Sequence, residues 1–110
     1  MTLPTDPAAR LRLDRYDLPA ARRGDFLDAM ADTLGLLRVL PGFLGHTVLE
    51  HPLPGDRVLL VTVAAWASQD AIDAAQARAR EAFAAQGVDP AARLARWGGT
   101  VTRDVLAPRG

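Results

Sequence analysis

Seven side chains of this 110-residue sequence are of a type and in a position to do chemistry: Asp14, Tyr16, His46, Thr62, Trp66, Gln76 and Phe83. Asp14 and His46 supply a carboxylate and an imidazole, the groups best suited to take a proton from a weak acid near neutral pH. Trp66 ends a β-branched segment next to the start of a helix, where an indole can wall a pocket, and Thr62 shares its face. Gln76 and Phe83 lie on the apolar stripe of that helix. A buried amide left unpaired costs about 1–3 kcal/mol, so Gln76 must meet backbone, water or a ligand. Tyr16 falls on the same strand face as Asp14, and a water-facing edge position accounts for both equally well. His46 and His51 stand five residues apart in one extended segment, which sends them to opposite faces and rules out a shared metal. His46 and Glu50 fall on one face, a spacing able to orient a base.

The missing residue types remove whole chemistries. Cys, Lys and Asn do not occur, which excludes thiolate nucleophiles, thiolate metal sites, disulfides, Schiff-base lysines and P-loops. Ser68 is the only serine and no nucleophile elbow surrounds it. The 13 basic residues are all Arg and balance 13 acids, so no long-range field recruits nucleic acid or anionic lipid. An RNA-binding sheet would need more exposed aromatics than Tyr16, Phe43 and Trp66 provide. The apolar run Val58–Ala67 is about half the roughly 20 residues of a membrane span. The start of the sequence has neither a basic nor an apolar signal region, and a cytoplasmic protein is expected.

Positioning these side chains requires a single domain, the size class of roughly 100–150 residues. Residues 1–9, with two prolines, read as a flexible leader, 10–106 as the folded domain and 107–110 as a tail. Alternation over Arg10–Leu18 predicts a first strand. Phe26, Leu27, Met30, Leu34 and Leu37 predict a helix that starts at or beyond Pro19, and Leu40-Pro41-Gly42 ends it. Phe43–His51 and Arg57–Trp66 predict a hairpin closed by Pro54-Gly55-Asp56. Ser68 predicts the cap of a second helix that ends before Gly87. Asp89-Pro90 predicts a short helix to about Trp97, and Thr100–Leu106 a last strand. The resulting β-α-β-β-α-(α)-β order is α+β, a ferredoxin-like split βαβ sandwich.

The third strand adds a requirement. Val58, Leu60, Ala64 and Trp66 point one way and Leu59, Val61, Val63 and Ala65 the other, yet the helices of this topology cover one face only. A second copy packed sheet against sheet is the expected cover, which makes the protein a homodimer.

The run Leu40-Pro41-Gly42-Phe43, the segment Val48-Leu49-Glu50, and Val61-Thr62-Val63-Ala64-Ala65-Trp66-Ala67-Ser68 before an Ala-rich helix together resemble the antibiotic biosynthesis monooxygenase family, over about residues 10–106. The resemblance implies a dimeric α/β barrel with a pocket between sheet and helices in each subunit. It also implies, for some members, oxygenation of electron-rich polyaromatics such as anthrones without a cofactor, and for others degradation of haem. The haem degraders use an Asn, a Trp and a His at positions that correspond here to Asp14, Trp66 and Gln76. Only the Trp carries over, and an amide in place of the ligating imidazole argues against haem cleavage. The quinone-forming members have a tyrosine in the second helix, which has no counterpart because Tyr16 is the only tyrosine.

The expected function is therefore a cofactor-independent monooxygenase acting with O₂ on a small aromatic or apolar ligand, with no metal, nucleic acid or membrane partner. Asp14 or His46 is the expected base, with Trp66 as wall and positioning group. Tyr16, Thr62, Gln76 and Phe83 join Trp66 as substrate contacts. The alternative is a dimeric barrel that binds a small molecule or responds to stress without turnover.

Overall fold

The computed structural model describes residues 2–109; Met1 and Gly110, the outermost residues of the expected leader and tail, lie outside them. Residues 2–9 form no helix or strand. The Asp6 side chain accepts the Ala8 N–H at 2.8 Å to make a turn, and Ala9 just beyond it is buried.

Strand β1 (Arg10–Pro19) leads through a 3₁₀ turn (Ala20–Arg22) into helix α1 (Arg23–Leu37). Pro19 thus closes the strand and precedes the short turn, and the α-helix proper begins four residues later, at Arg23, with Gly24 inside its first turn. Strands β2 (Phe43–Leu53) and β3 (Arg57–Trp66) form the expected hairpin, with β2 running two residues further than His51. Helix α2 (Gln69–Ala85) is capped by Ser68, whose Oγ accepts the Ala71 N–H at 3.1 Å. Helix α3 (Pro90–Arg96) is capped in the same way by Asp89 from Ala92, and β4 (Thr100–Leu106) closes the chain.

The strands form one antiparallel sheet in the order β2-β3-β1-β4, and the fold is the α+β ferredoxin-like sandwich. β1 is consequently an interior strand, and the water-facing edge position that would have accounted for Asp14 and Tyr16 does not exist. A bulge at Leu44 separates the pairs Phe43↔Trp66 and Gly45↔Ala65. The Leu-Pro-Gly-Phe turn sits against the start of α2. Gly42 has φ +83°, and a β-carbon there would lie 2.6 Å from that of Ala71, so only glycine lets the turn approach the helix this closely.

Both long helices cover the same face of the sheet. One core group joins Tyr16, Leu18, Val58 and Leu60 to Phe26 of α1, and a second joins Ala64 and Trp66 to Ile72 and Ala75 of α2. The other face carries Leu11 and Leu13 of β1 and Leu59 and Val61 of β3, all half-buried, and the exposed Leu49 and Leu106.

Candidate active site

The strand register assembles the site. Val48, Thr62, Asp14 and Arg103 form one row across the four strands on the helix-covered face. His46, Ala64, Arg12 and Val105 form the next row on one side, and Glu50, Leu60, Tyr16 and Val101 the next on the other. Because side chains two residues apart share a face, this arrangement brings Asp14 into the middle of Arg12, Tyr16, Thr62, His46 and Arg103. Asp14 and Thr62 are the buried polar side chains among the described residues, and both belong to the central row.

Above these rows α1, α2 and α3 leave a cavity of about 1120 Å³. Asp14, Tyr16, His46, Thr62, Trp66, Gln76 and Phe83 all line it, so the structure brings the seven sequence candidates together. Trp66 is 3% exposed and meets Phe43 edge to face, with ring centroids 5.3 Å apart, so it fills core and walls the cavity at once. Gln76 is half-buried at the cavity wall, and among the described residues no buried side-chain polar atom lacks a partner. Phe83 lies further along α2 and Tyr16 packs on Phe26 at 4.7 Å.

Three features depart from the reading of the sequence alone. Glu50 does not orient His46, because both its carboxylate oxygens accept hydrogen bonds from Arg23 at 2.6 and 2.8 Å. Arg12 and Arg103 are new members of the site: the Nε of Arg12 lies 3.3 Å, and that of Arg103 3.5 Å, from the same Asp14 oxygen. Arg80 of α2, an exposed residue, stands at the rim of the cavity as a third arginine. Parity on β1 was a signal for Arg12, which shares a face with Asp14. Arg103 had no local signal, since only the β1–β4 pairing brings it alongside.

Electrostatics separate the titratable groups. Burial pushes the His46 imidazole below its usual 6.5, with the Asp14 charge opposing, so His46 is neutral at neutral pH and offers a free lone pair. Burial raises the Tyr16 hydroxyl, the Asp14 charge raises it further and Arg103 opposes, so Tyr16 stays protonated and can donate a hydrogen bond. One cavity therefore holds groups able to accept a proton, a neutral hydroxyl donor and two guanidinium groups, which is the equipment for proton abstraction with stabilisation of the resulting oxyanion. No cluster of three or more metal-ligating side chains occurs among the described residues, and none of their helices is long and apolar enough to cross a membrane.

Comparison with known proteins gives a match to the family described as antibiotic biosynthesis monooxygenase over residues 13–85. Among solved structures, SnoaB of Streptomyces nogalater, a cofactor-independent oxygenase, is 22% identical, with 94% of this chain and 95% of that one covered and a TM-score of 0.65. The ActVA-Orf6 monooxygenase of Streptomyces coelicolor, solved with nanaomycin D, is also 22% identical, with 94% and 90% covered and a TM-score of 0.64. A dimeric ferredoxin-like protein from an uncultured marine organism is 13% identical, with 93% and 96% covered and a TM-score of 0.71. At these identities the likeness is one of fold. No curated protein matches.

Proposed function

The chain belongs to the antibiotic biosynthesis monooxygenase family, and from that premise we propose that it is a monooxygenase that oxidises a small aromatic substrate with O₂ and without a cofactor. The observation that carries this reading is the row centred on Asp14, a set of proton-handling groups on the floor of a cavity whose walls are apolar and aromatic.

The chemistry follows from what these groups can do. A carbon acid next to a phenol or carbonyl, of the anthrone kind, loses a proton to His46 or Asp14. Tyr16 and the nearby guanidinium groups stabilise the charge on the substrate oxygen. The electron-rich carbanion reduces O₂ and combines with it, and the substrate hydroperoxide then loses water. The CH₂ group becomes a carbonyl with one oxygen atom from O₂; the other oxygen leaves as water with the two hydrogens, and no external reductant is consumed. Trp66 and Phe83 hold the ring system, while Gln76 and Thr62 offer polar contacts. Haem does not suit this cavity, because the α2 residue at the expected ligand position is Gln76, and an amide is a poor ligand for haem iron.

The working unit is a homodimer in which the exposed leucine-rich face of one sheet covers that of its partner. At roughly 25 cal/mol per Å² of apolar surface, leaving that face in water is costly.

Oxygen uptake with a panel of anthrones and dihydroxyaromatics tests the proposal. Uptake with one class, accompanied by formation of the matching quinone, is the expected result, and Asp14→Asn or His46→Gln, whichever removes the base, lowers it by about 10²- to 10⁴-fold. Measurable binding with no uptake across the panel would instead establish a binding protein without turnover.

A further inference from the structure

The arginines of this protein differ in how they meet their acids. Arg23 grips Glu50 with two nitrogens at 2.6 and 2.8 Å, and Arg57 reaches Asp17 at 2.6 Å and the Gly98 carbonyl at 2.9 Å. These are short, charge-assisted contacts that use the guanidinium fork. Arg12 and Arg103 are different. Each approaches the same oxygen of Asp14 through Nε, at 3.3 and 3.5 Å, and Arg103 also hydrogen-bonds the Tyr16 side chain. Two forks thus share one loosely held carboxylate at the floor of a cavity.

The cavity as a whole has a matching imbalance. Its lining holds Arg12, Arg80, Arg93 and Arg103 against Asp14 and Asp89, in a protein whose formal net charge is zero. Arg93 stacks over Trp97 at 5.3 Å and so does not depend on a counter-ion for its placement. His46 adds no charge at neutral pH because burial keeps it unprotonated. What remains is an uncompensated positive potential concentrated where Arg12 and Arg103 converge, partly shielded from water. An apolar hydrocarbon would gain nothing from it and would lose by desolvating the two guanidinium groups.

We propose that the substrate is an aromatic acid, whose carboxylate docks on the guanidinium groups of Arg12 and Arg103 while its rings occupy the apolar part of the cavity towards Trp66 and Phe83. This rests on the functional reading above and narrows it to an anionic substrate class. Asp14 has a second role in this arrangement: it keeps both guanidinium groups in place when the cavity is empty and competes with the incoming anion for them. Two planar forks converging on one point also match a carboxylate better than a single charge does, because each can donate to a different oxygen.

The test uses two probes of one outline, anthracene-2-carboxylate and anthracene-2-carboxamide, titrated by fluorescence into the protein at neutral pH. The carboxylate is expected to bind about five- to tenfold more tightly, a moderate preference because Arg103 is half exposed. Arg12→Gln with Arg103→Gln is expected to bring the two probes to parity while carboxamide affinity is retained, which shows that the cavity is intact. Asp14→Asn is expected to widen the carboxylate preference by removing the competitor. If the double variant fails to fold, added salt on the wild-type protein gives the same answer: it should erode carboxylate binding and leave carboxamide binding unchanged. Equal affinities in the wild type, or a preference that survives both the double variant and salt, would overturn the anionic handle and leave the aromatic pocket standing. Binding of neither probe would overturn both.

Discussion

The two faces of the sheet are made from the same four strands and have opposite characters. The helix-covered face carries Asp14, Thr62, Tyr16, His46 and Arg103 among its apolar residues, under a cavity. The other face carries Leu11, Leu13, Leu59 and Val61 and leaves Leu49 56% and Leu106 46% exposed. A strand alternates its side chains, so every second residue meets a different environment: a cavity with titratable groups on one side, an apolar surface without helix cover on the other. The lesson is that mutations one residue apart, such as at Val61 and Thr62, should fail in different ways.

The largest effect expected from breaking this division is on assembly. Val61→Asp places a charge in the middle of the leucine-rich face. It should convert a dimer, of twice 11.8 kDa, into an 11.8 kDa species by sedimentation at micromolar concentration. The neighbouring Thr62→Val, on the opposite side, should leave the mass unchanged. An 11.8 kDa wild-type protein that stays soluble would dissolve the distinction between the faces.

A smaller effect sharpens the comparison on the covered side, where α2 frames the cavity. Ser68→Ala removes the side-chain acceptor of the Ala71 N–H and should cost about 1 kcal/mol in denaturant unfolding, with sedimentation unaltered.

The smallest effect is a tilt of stability with pH. Burial holds the His46 pKa below 6.5 in the folded protein, so as the pH falls through 6.5 the unfolded chain takes up a proton before the folded one does. Stability therefore declines from about the ordinary histidine value downwards and is fully present above it. His46→Gln should flatten this decline in unfolding curves measured between neutral and mildly acidic pH.

Much of this architecture was written in local signals. Ser68 and Asp89 cap their helices as read, and the bounds of β3 and β4 follow from turns and β-branched runs on either side. The two-sided apolar pattern of β3 also anticipated that the helices leave one apolar face of the sheet without cover. What was hidden depends on pairing between distant segments. Arg103 joins the site only because β4 pairs with β1, 89 residues separating it from Asp14 along the sequence, and no short-range pattern encodes that register. The interior position of β1 follows from the split βαβ topology as a whole and from no local pattern, so Asp14 and Tyr16 were consistent with an edge only when the strand was read by itself. Glu50 illustrates the reverse case: its spacing from His46 was correct for a shared face, but Arg23, fixed by the start of α1, holds it elsewhere.

Leu44 has a consequence out of proportion to its own contacts. Phe43 and His46 are an odd number of positions apart, and in an unbroken pleat they would be sent to opposite sides of the sheet. The unpaired residue between them resets the count, which is why the ring that supports Trp66 and the imidazole beside Asp14 lie on the same face of the sheet. Drawing Leu44 into the ladder would turn Phe43 to the opposite face and take from Trp66 its edge-to-face partner, whereas deleting Leu44 would leave Phe43 two positions from His46, on the face it already occupies, in a pleat without a kink.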